Sequence, residues 1–288
     1  VVIMKVIPTA ADRMMLLAAA TLDMVEKLSA EEIDAVGRMS DLKVISIPST
    51  NGVQLIMHNG LEPFDNLQVR QAISYAFPYA EIIENVYFGR AQTTAGPIPV
   101  GFPDHNSGDY PYEQNLELAR ELLAAAGYAD GFSVDLEMDS GNPDHEAIAV
   151  LAKAALQEIG VDVTIRKLTP AVFAEQRATL GLKFFLNESL WWVDDPSYPL
   201  MLGYTSGAFF NYGAYSNESV DEMIMASLTE LDPDVRSELL EDIQGIIIEE
   251  APMVWIAQPN FNLASRPEVS GYAHFNDHMV RFQFIDKE

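Results

Sequence analysis

The chain contains no cysteine. Disulfides, thiolate metal sites and cysteine nucleophiles are therefore excluded, while the compartment stays open, since many bacterial envelope proteins also lack cysteine. Basic residues are scarce: 17 Lys and Arg stand against 43 Asp and Glu, a formal net charge of −26. Such a field repels nucleic-acid phosphates and anionic lipid heads, so neither is an expected partner, and it favours cationic or zwitterionic ones. No apolar run approaches the roughly 20 residues that span a bilayer, so no membrane insertion of this segment is expected. The opening VVIMKVIPTAADRMM lacks the basic leader and small-residue cleavage site of a signal peptide. It reads as a strand that starts abruptly, hence as a trimmed or proteolysed piece of a longer protein. Ser/His/Asp signatures, P-loops and dinucleotide-binding glycine motifs are absent, as are internal repeats and low-complexity tracts.

What is present suits a well-packed α/β protein. At 288 residues and 49% hydrophobic, the chain can bury one large core or two moderate ones. Val1–Ile7, ended by Pro8, predicts a strand, and Ala10–Lys27 a helix rich in Ala, Leu and Met. Ser29 followed by Glu32 predicts a capping box opening a helix over Ala30–Arg38. Asp41–Pro48 and Gly52–His58 read as extended. Val69, Ala72, Ile73, Ala76, Ala80 and Ile83 recur at helical spacing, with Pro78 predicted to split that run in two. Ala91–Tyr112 has no periodicity, and a loop that long is either functional or pinned to a neighbour.

From Leu116 onward the pattern alternates. A helix stripe (Leu116, Ala119, Leu122, Leu123, Ala126) stops at Gly127, and Phe132, Val134, Leu136 and Met138 alternate as a half-buried strand. Asn142-Pro143 opens a helix to Ile159, and Val161–Leu168 is a strand. Thr169-Pro170 opens a helix that stops near Gly181, and Lys183–Leu190 is a strand. This rhythm implies right-handed crossovers and a mainly parallel sheet with helices on its faces. Helices follow at Val220–Leu231 and Pro233–Glu250, the second expected to bury Val235, Leu239, Ile243, Ile246 and Ile247. Pro252–Gln258 is a late strand, and the tail reads as short strands and turns.

Four motifs then occur in a telling order. They are Val69-Arg70-Gln71-Ala72-Ile73-Ser74-Tyr75-Ala76, the stretch Ala119 to Tyr128 of form A-x-x-LL-x-x-AGY, the junction Ile159-Gly160-Val161-Asp162-Val163, and Asn217 with Val220-Asp221 and Ile224. Together they resemble the second half of the extracellular solute-binding proteins of family 5, which serve ABC importers. One departure is Pro78-Tyr79, which stands where the family has Asp-Arg; Pro at a first helical position makes the same break by another device. The resemblance implies a periplasmic-binding-protein-like α/β fold of two lobes (type II), its mixed sheet mainly parallel and flanked by helices, with the first lobe largely absent. Residues 1–51 would be a remnant of lobe I and the approach to the hinge, 52–58 the first hinge strand, 59–252 lobe II, and 253–288 the second hinge strand and return to lobe I. It also implies a non-catalytic periplasmic or extracellular receptor for a small solute, peptides above all. Its partners would be the membrane subunits of an ABC importer, and no cofactor or metal is expected.

By the same resemblance, Trp191-Trp192-Val193-Asp194 matches a Trp-x-x-Asp segment whose carboxylate takes a peptide's α-ammonium. The spacing to the next Asp-Pro is shorter here, so either Asp194 or Asp195 would make that contact, with Trp191 and Trp192 as flat walls. A turn after a buried strand explains Asp194-Asp195-Pro196 equally. Tyr204–Tyr215 holds Phe210, Asn211 and Tyr212 and reads either as a pocket-lining loop or as an aromatic plug. Asn59, matching a polar residue common at the family's hinge, is a candidate ligand contact, with a structural hydrogen bond as the competing role. Arg70 and Arg177 could meet a ligand carboxylate or join buried ion pairs. His274 and His278 have a helical metal spacing inside a segment that does not read as helical. Two other readings stand beside the receptor. A secreted carbohydrate-active hydrolase would use Glu188, Asp194 and Asp195 near the tryptophans. An interaction module would dock through an exposed apolar face.

Overall fold

The computed structural model describes every residue except Pro8, Ser107 and Asp109. Val1–Ile7 forms no strand: it lacks regular structure, and Val1, Val2, Ile3, Met4 and Val6 are exposed. A strand exists only against a partner edge, and no strand among the described residues pairs with this segment. The expected end of that strand, Pro8, lies outside the described residues. Helix α1 (Ala10–Ala18) stops nine residues short of Lys27, because Met24–Glu26 is drawn into strand β1. Tertiary pairing overrides helix propensity there. The capping box forms at the start of α2 (Ala30–Gly37), where Ser29 and Glu32 bond reciprocally. Strands β2 (Lys43–Ile47) and β3 (Gly52–Met57) follow.

Helix α3 (Leu67–Ala76) starts on the Asn66 side chain and ends before Pro78. The break resets the helical phase: in α4 (Tyr79–Glu81) and the π-turn Ile82–Val86, Tyr79 and Ile82 are buried, while Ala80 is exposed and Ile83 only half-buried. After the two-residue β4 (Ala91–Gln92) and its loop come α5 (Leu116–Ala125), β5 (Phe132–Asp139), α6 (Pro143–Gln157) and β6 (Val161–Leu168). Gly131 and Gly160 mark where β5 and β6 begin. Both have positive φ, and a Cβ on Gly131 would lie 1.8 Å from the Gly160 carbonyl oxygen, so the sheet closes there only without a side chain. Next are α7 (Pro170–Ala178), where Thr169 stands at the N-cap but its hydroxyl makes no cap bond, and β7 (Phe184–Ser189). Helices α8 (Ser197–Gly203), α9 (Glu218–Ser227) and α10 (Pro233–Glu250) lead to β8 (Met253–Pro259), β9 (Phe261–Ser265), β10 (Val269–Ser270) and β11 (Asp286–Lys287).

The main sheet has six strands in the order β4-β8-β3-β7-β5-β6. Parallel pairing is confined to β7, β5 and β6, joined by the helical crossovers; β3 and β8 pair antiparallel, so the sheet is mixed as expected, but parallel pairs are the minority in it. One face buries Val53, Leu55, Phe184, Leu186, Val254 and Ile256 under α3, α5 and α6. The other buries Ile56, Phe185, Met253 and Trp255 under α7 to α10. On α10, Ile243 and Ile247 are buried as expected, joined by Leu240, Gln244 and Ile248, while Leu239 and Ile246 are half-buried and Val235 is exposed. A second, three-stranded sheet (β1-β9-β2) has its own core with α1 and α2, including Leu17, Val25, Ile33, Val36 and Ala264. The chain passes between the two sheets twice, at residues 48–51 and at 259–260. These passages are stitched together: the Ser49 hydroxyl donates to the Pro259 carbonyl at 2.7 Å, and the Gln258 amide donates to the Ser49 carbonyl at 2.5 Å.

Candidate functional site

Side chains alternate along β3 and β7, so Gln54 and Ile56 share a face with Phe185, Asn187 and Ser189. On that face the strands change character, apolar over Ile56 and Phe185, then polar over Gln54, Asn187 and Ser189. A cavity of about 240 Å³ opens over the polar end, walled also by Arg177, Glu188, Leu190, Trp191, Trp192, Gly203, Tyr204, Phe210, Tyr212 and Met253. Its floor is a chain of side-chain bonds. Arg177 Nη1 donates to Asn187 Oδ1 at 2.8 Å, Asn187 Nδ2 to Gln54 Oε1 at 3.3 Å, and Gln54 Nε2 to Ser189 Oγ at 2.5 Å.

The aromatic wall is built by packing. Trp191 is 7% exposed and meets Tyr198 and Phe210 edge to face at 5.8 and 5.9 Å, while Gly203 leaves room for its indole. Trp192, also in the lining, is 57% exposed, and Val193 next to it and Phe209 next to Phe210 are exposed too. The two tryptophans thus divide the roles the sequence left open: one packs, the other presents a free face. Tyr204 takes a hydrogen bond from Trp255 Nε1 at 2.9 Å, and burial pushes its phenol well up, so it stays neutral. Tyr212 is also raised by burial, against the pull of the Arg177 guanidinium 4.7 Å above its ring.

The cavity brings together Trp191, Trp192, Phe210 and Tyr212 from the expected site; Asp194, Asp195, Asn211 and Asn59 stand outside its lining. Asp194 is exposed and takes a hydrogen bond from Asn276 of the tail. Asp195 is the turn residue of α8: its Oδ1 accepts from Ser197 N at 2.8 Å and from Arg236 Nη2 at 2.8 Å. Asn211 is buried and staples its own loop, donating to the Thr205 and Tyr215 carbonyls and accepting from Tyr215 N. Asn59 donates to the Met57 and Pro252 carbonyls at 2.6 and 3.0 Å. Among the described residues Arg70 joins no ion pair; its guanidinium caps backbone, donating to Glu250 O at 3.0 and 2.8 Å and to Phe64 O at 2.9 Å.

Sequence reading missed Gln54, Asn187 and Ser189. The available signal was a polar residue in phase with buried apolar ones on each strand, since such a residue must face either a partner or a cavity. Beside the cavity, Glu188 accepts from Asn142 Nδ2 at 2.7 Å and lies 3.7 Å from Nε2 of the buried His145. Burial lowers the His145 pKa, against the pull of Glu188 and Asp139. Asp144, next to it, is pushed up to about 6 by burial, although Ala30 N donates to it at 3.2 Å. The segment holding His274 and His278 is not helical, and among the described residues no group of three or more His, Asp or Glu could hold a metal ion. No helix among them is long and apolar enough to cross a membrane.

Comparison with known proteins agrees with this architecture. The chain is 24% identical over 274 residues to the probable D,D-dipeptide-binding periplasmic protein DdpA of Escherichia coli K12, covering 93% of this chain and 52% of that protein. It is 26% identical over 287 residues to heme-binding protein A of Haemophilus influenzae, covering 94% and 50%. Among solved structures, the periplasmic binding protein DppA of Helicobacter pylori, in complex with the peptide STSA, superposes with a TM-score of 0.88 at 25% identity, over 98% of this chain and 56% of that one. The chain spans about half the length of the curated relatives it matches. The family model for bacterial extracellular solute-binding proteins, family 5 (Middle), matches residues 1–211, and the chain belongs to that family.

Proposed function

We propose that the chain supplies about half of a periplasmic receptor that captures a peptide or similar small solute for an ABC importer. The observation that carries this reading is the cavity: a polar floor fixed by the β3–β7 register, two aromatic walls, and an exposed Trp192 at a mouth that a second lobe would cover. In this reading residues 59–252 form lobe II, and residues 1–51 and 253–288 run with lobe I. The separate core of the β1-β9-β2 sheet supports that division. Residues 52–58 and 253–258 are central strands of the main sheet, so we assign the hinge to their outer ends, at 48–51 and 259–260. Bending there closes the lobes over the solute, and binding free energy favours the closed form.

Trp191, Trp192, Phe210 and Tyr212 serve as the walls for solute side chains. Asp195 is already held by Arg236, and Asp194 by the tail. Glu188 reaches the lining by its strand position, while its carboxylate turns to Asn142 and His145 on the α6 face. Asn211 holds the loop, and Asn59 ties β3 to β8 at the ends away from the hinge.

The hydrolase reading draws no support, because each relative reported above is named for binding. Tryptophan fluorescence tests the receptor reading. Dipeptides at millimolar concentration are expected to shift the emission of this chain saturably and Trp192→Ala to remove most of that shift. Equal shifts in both proteins, or none with any peptide, would refute it.

A further inference from the structure

We propose that helix α2 is a latch behind the main sheet, on the face opposite the cavity, and that it resists closure of the cavity mouth until a solute draws the two packed units together. Resting on the receptor reading and its hinge, the latch adds a control on how readily that hinge bends. Helix α2 belongs to the core of the second sheet through Ile33 and Val36, yet its first residue, Ala30, is buried in the core that the main sheet shares with α3, α5 and α6. It is fastened there twice. Ala30 N donates to Asp144 Oδ1 at 3.2 Å, in the first turn of α6, and Arg90 Nη1 pairs with Asp34 Oδ1 at 3.2 Å. The Arg90 and Asp34 side chains are 24% and 19% exposed, so the pair is sheltered from the screening that weakens surface ion pairs.

Side-chain alternation fixes the two sides. Asn187 and Ser189 line the cavity, so the Glu188 carboxylate between them points the other way, to Asn142 and His145 at the start of α6. The α2 contacts therefore lie behind the sheet and the cavity in front of it, with the passages at 48–51 and 259–260 between them. A rotation about those passages that narrows the front widens the back. Closing over a solute must then part Ala30 from Asp144 and Asp34 from Arg90. In front, Asn276 of the tail meets Asp194, two residues past Trp192, and the same rotation does not stretch that contact. The rear bond is a weak one. Burial, with repulsion from Glu188 and Glu32, pushes the Asp144 pKa up to about 6 even though Ala30 N donates to it. A latch of this kind sets the population of the closed form, and through it the apparent affinity, without touching the solute.

The chain has no cysteine, so spin labels on Glu31→Cys and Ala147→Cys, both at exposed positions, report the α2–α6 distance by pulsed double electron resonance. Saturation with the dipeptide Ala-Leu is expected to lengthen that distance. Asp34→Asn combined with Asp144→Ala should lengthen or broaden it without any peptide. Followed by tryptophan emission, this double variant should bind Ala-Leu about threefold to tenfold more tightly than the unsubstituted chain. Asp144→Asn, which keeps an acceptor for Ala30 N, should stay within about twofold of it. Damage to the fold would weaken binding, so a gain in affinity separates the latch from a merely structural role. An unchanged distance at saturation, or binding no tighter in either the double variant or Asp34→Asn alone, would overturn the latch and leave the receptor reading standing. No response of any of these proteins to dipeptides would overturn both.

Discussion

The side-chain amide of Asn59 bridges the two central strands of the main sheet, donating to Met57 O at the end of β3 and to Pro252 O at the start of β8. The Asn59 backbone N–H, meanwhile, donates to Gly213 O at 2.7 Å. One residue thereby ties both strands to the loop that carries Phe210 and Tyr212. Removing the amide in Asn59→Ala leaves two carbonyls without this donor and should lower unfolding stability by about 1–3 kcal/mol in urea titration. A loss under about 0.5 kcal/mol would mean that the bridge contributes little.

Arg70 offers a sharper case. Its guanidinium satisfies Glu250 O, at the C-terminal end of α10, and Phe64 O. Arg70→Met keeps much of the packing but strands those acceptors, and a loss of about 3 kcal/mol or more is expected. Arg70→Lys should recover only a fraction, because an ammonium cannot reproduce the planar fork.

Two glycines with positive φ should respond unequally to alanine. At Gly127 a Cβ meets nothing within 4 Å, so Gly127→Ala should cost only the backbone strain, about 1 kcal/mol. At Gly131 the Cβ would sit 1.8 Å from backbone, so the β5–β6 junction must open and the loss should exceed about 3 kcal/mol. Comparable melting temperatures for the two variants would contradict this account of the junction.

Asp144 predicts a pH dependence of definite sign. Burial raises its pKa from 3.8 to about 6, so between these values the folded protein keeps a proton that the unfolded chain gives up. Its contribution to stability is therefore highest near pH 4, falls as pH rises through about 6, and stays low above that. Asp144→Asn keeps an acceptor for Ala30 N and removes the charge, so it should stabilise by on the order of 1–3 kcal/mol at pH 7.5, with the gain vanishing near pH 4. His145 works the other way: its lowered pKa means that stability is lost as pH drops below the ordinary histidine value of 6.5. Melting curves of both proteins from pH 4 to 8 test the sign, and a gain that grows toward acid would refute it.

The interaction-module reading carries its own test. Trp192, Val193 and Phe209, each next to or within the cavity-lining segments, expose apolar surface that is expected to be adhesive. Sedimentation at high concentration should reveal self-association that Trp192→Ser weakens. A monomer throughout would leave the patch to a solute or a second lobe.

Much of this protein is decided locally and so can be read from the chain itself. Ser29 with Glu32, Asn142 with Pro143 and Asp232 with Pro233 start helices because a side-chain oxygen takes the first free amides and proline presets the turn. The alternation through β5, α6, β6, α7 and β7, and the family motifs lying on it, follow from such short-range rules. Val1–Ile7 and the stretch after Ala18 failed because a strand needs a partner that propensity cannot name. The site is non-local in the same way. Gln54 meets Asn187 across 133 residues only through the β3–β7 register, and Asp195 is taken from the site by Arg236 across 41. Sequence thus determined the elements, their order and the presence of a tryptophan pair. Tertiary structure decided which tryptophan stays free, which carboxylate is already engaged, and that Arg177 meets Asn187 on the floor of a cavity, because strand pairing and helix packing alone bring distant side chains within bonding distance.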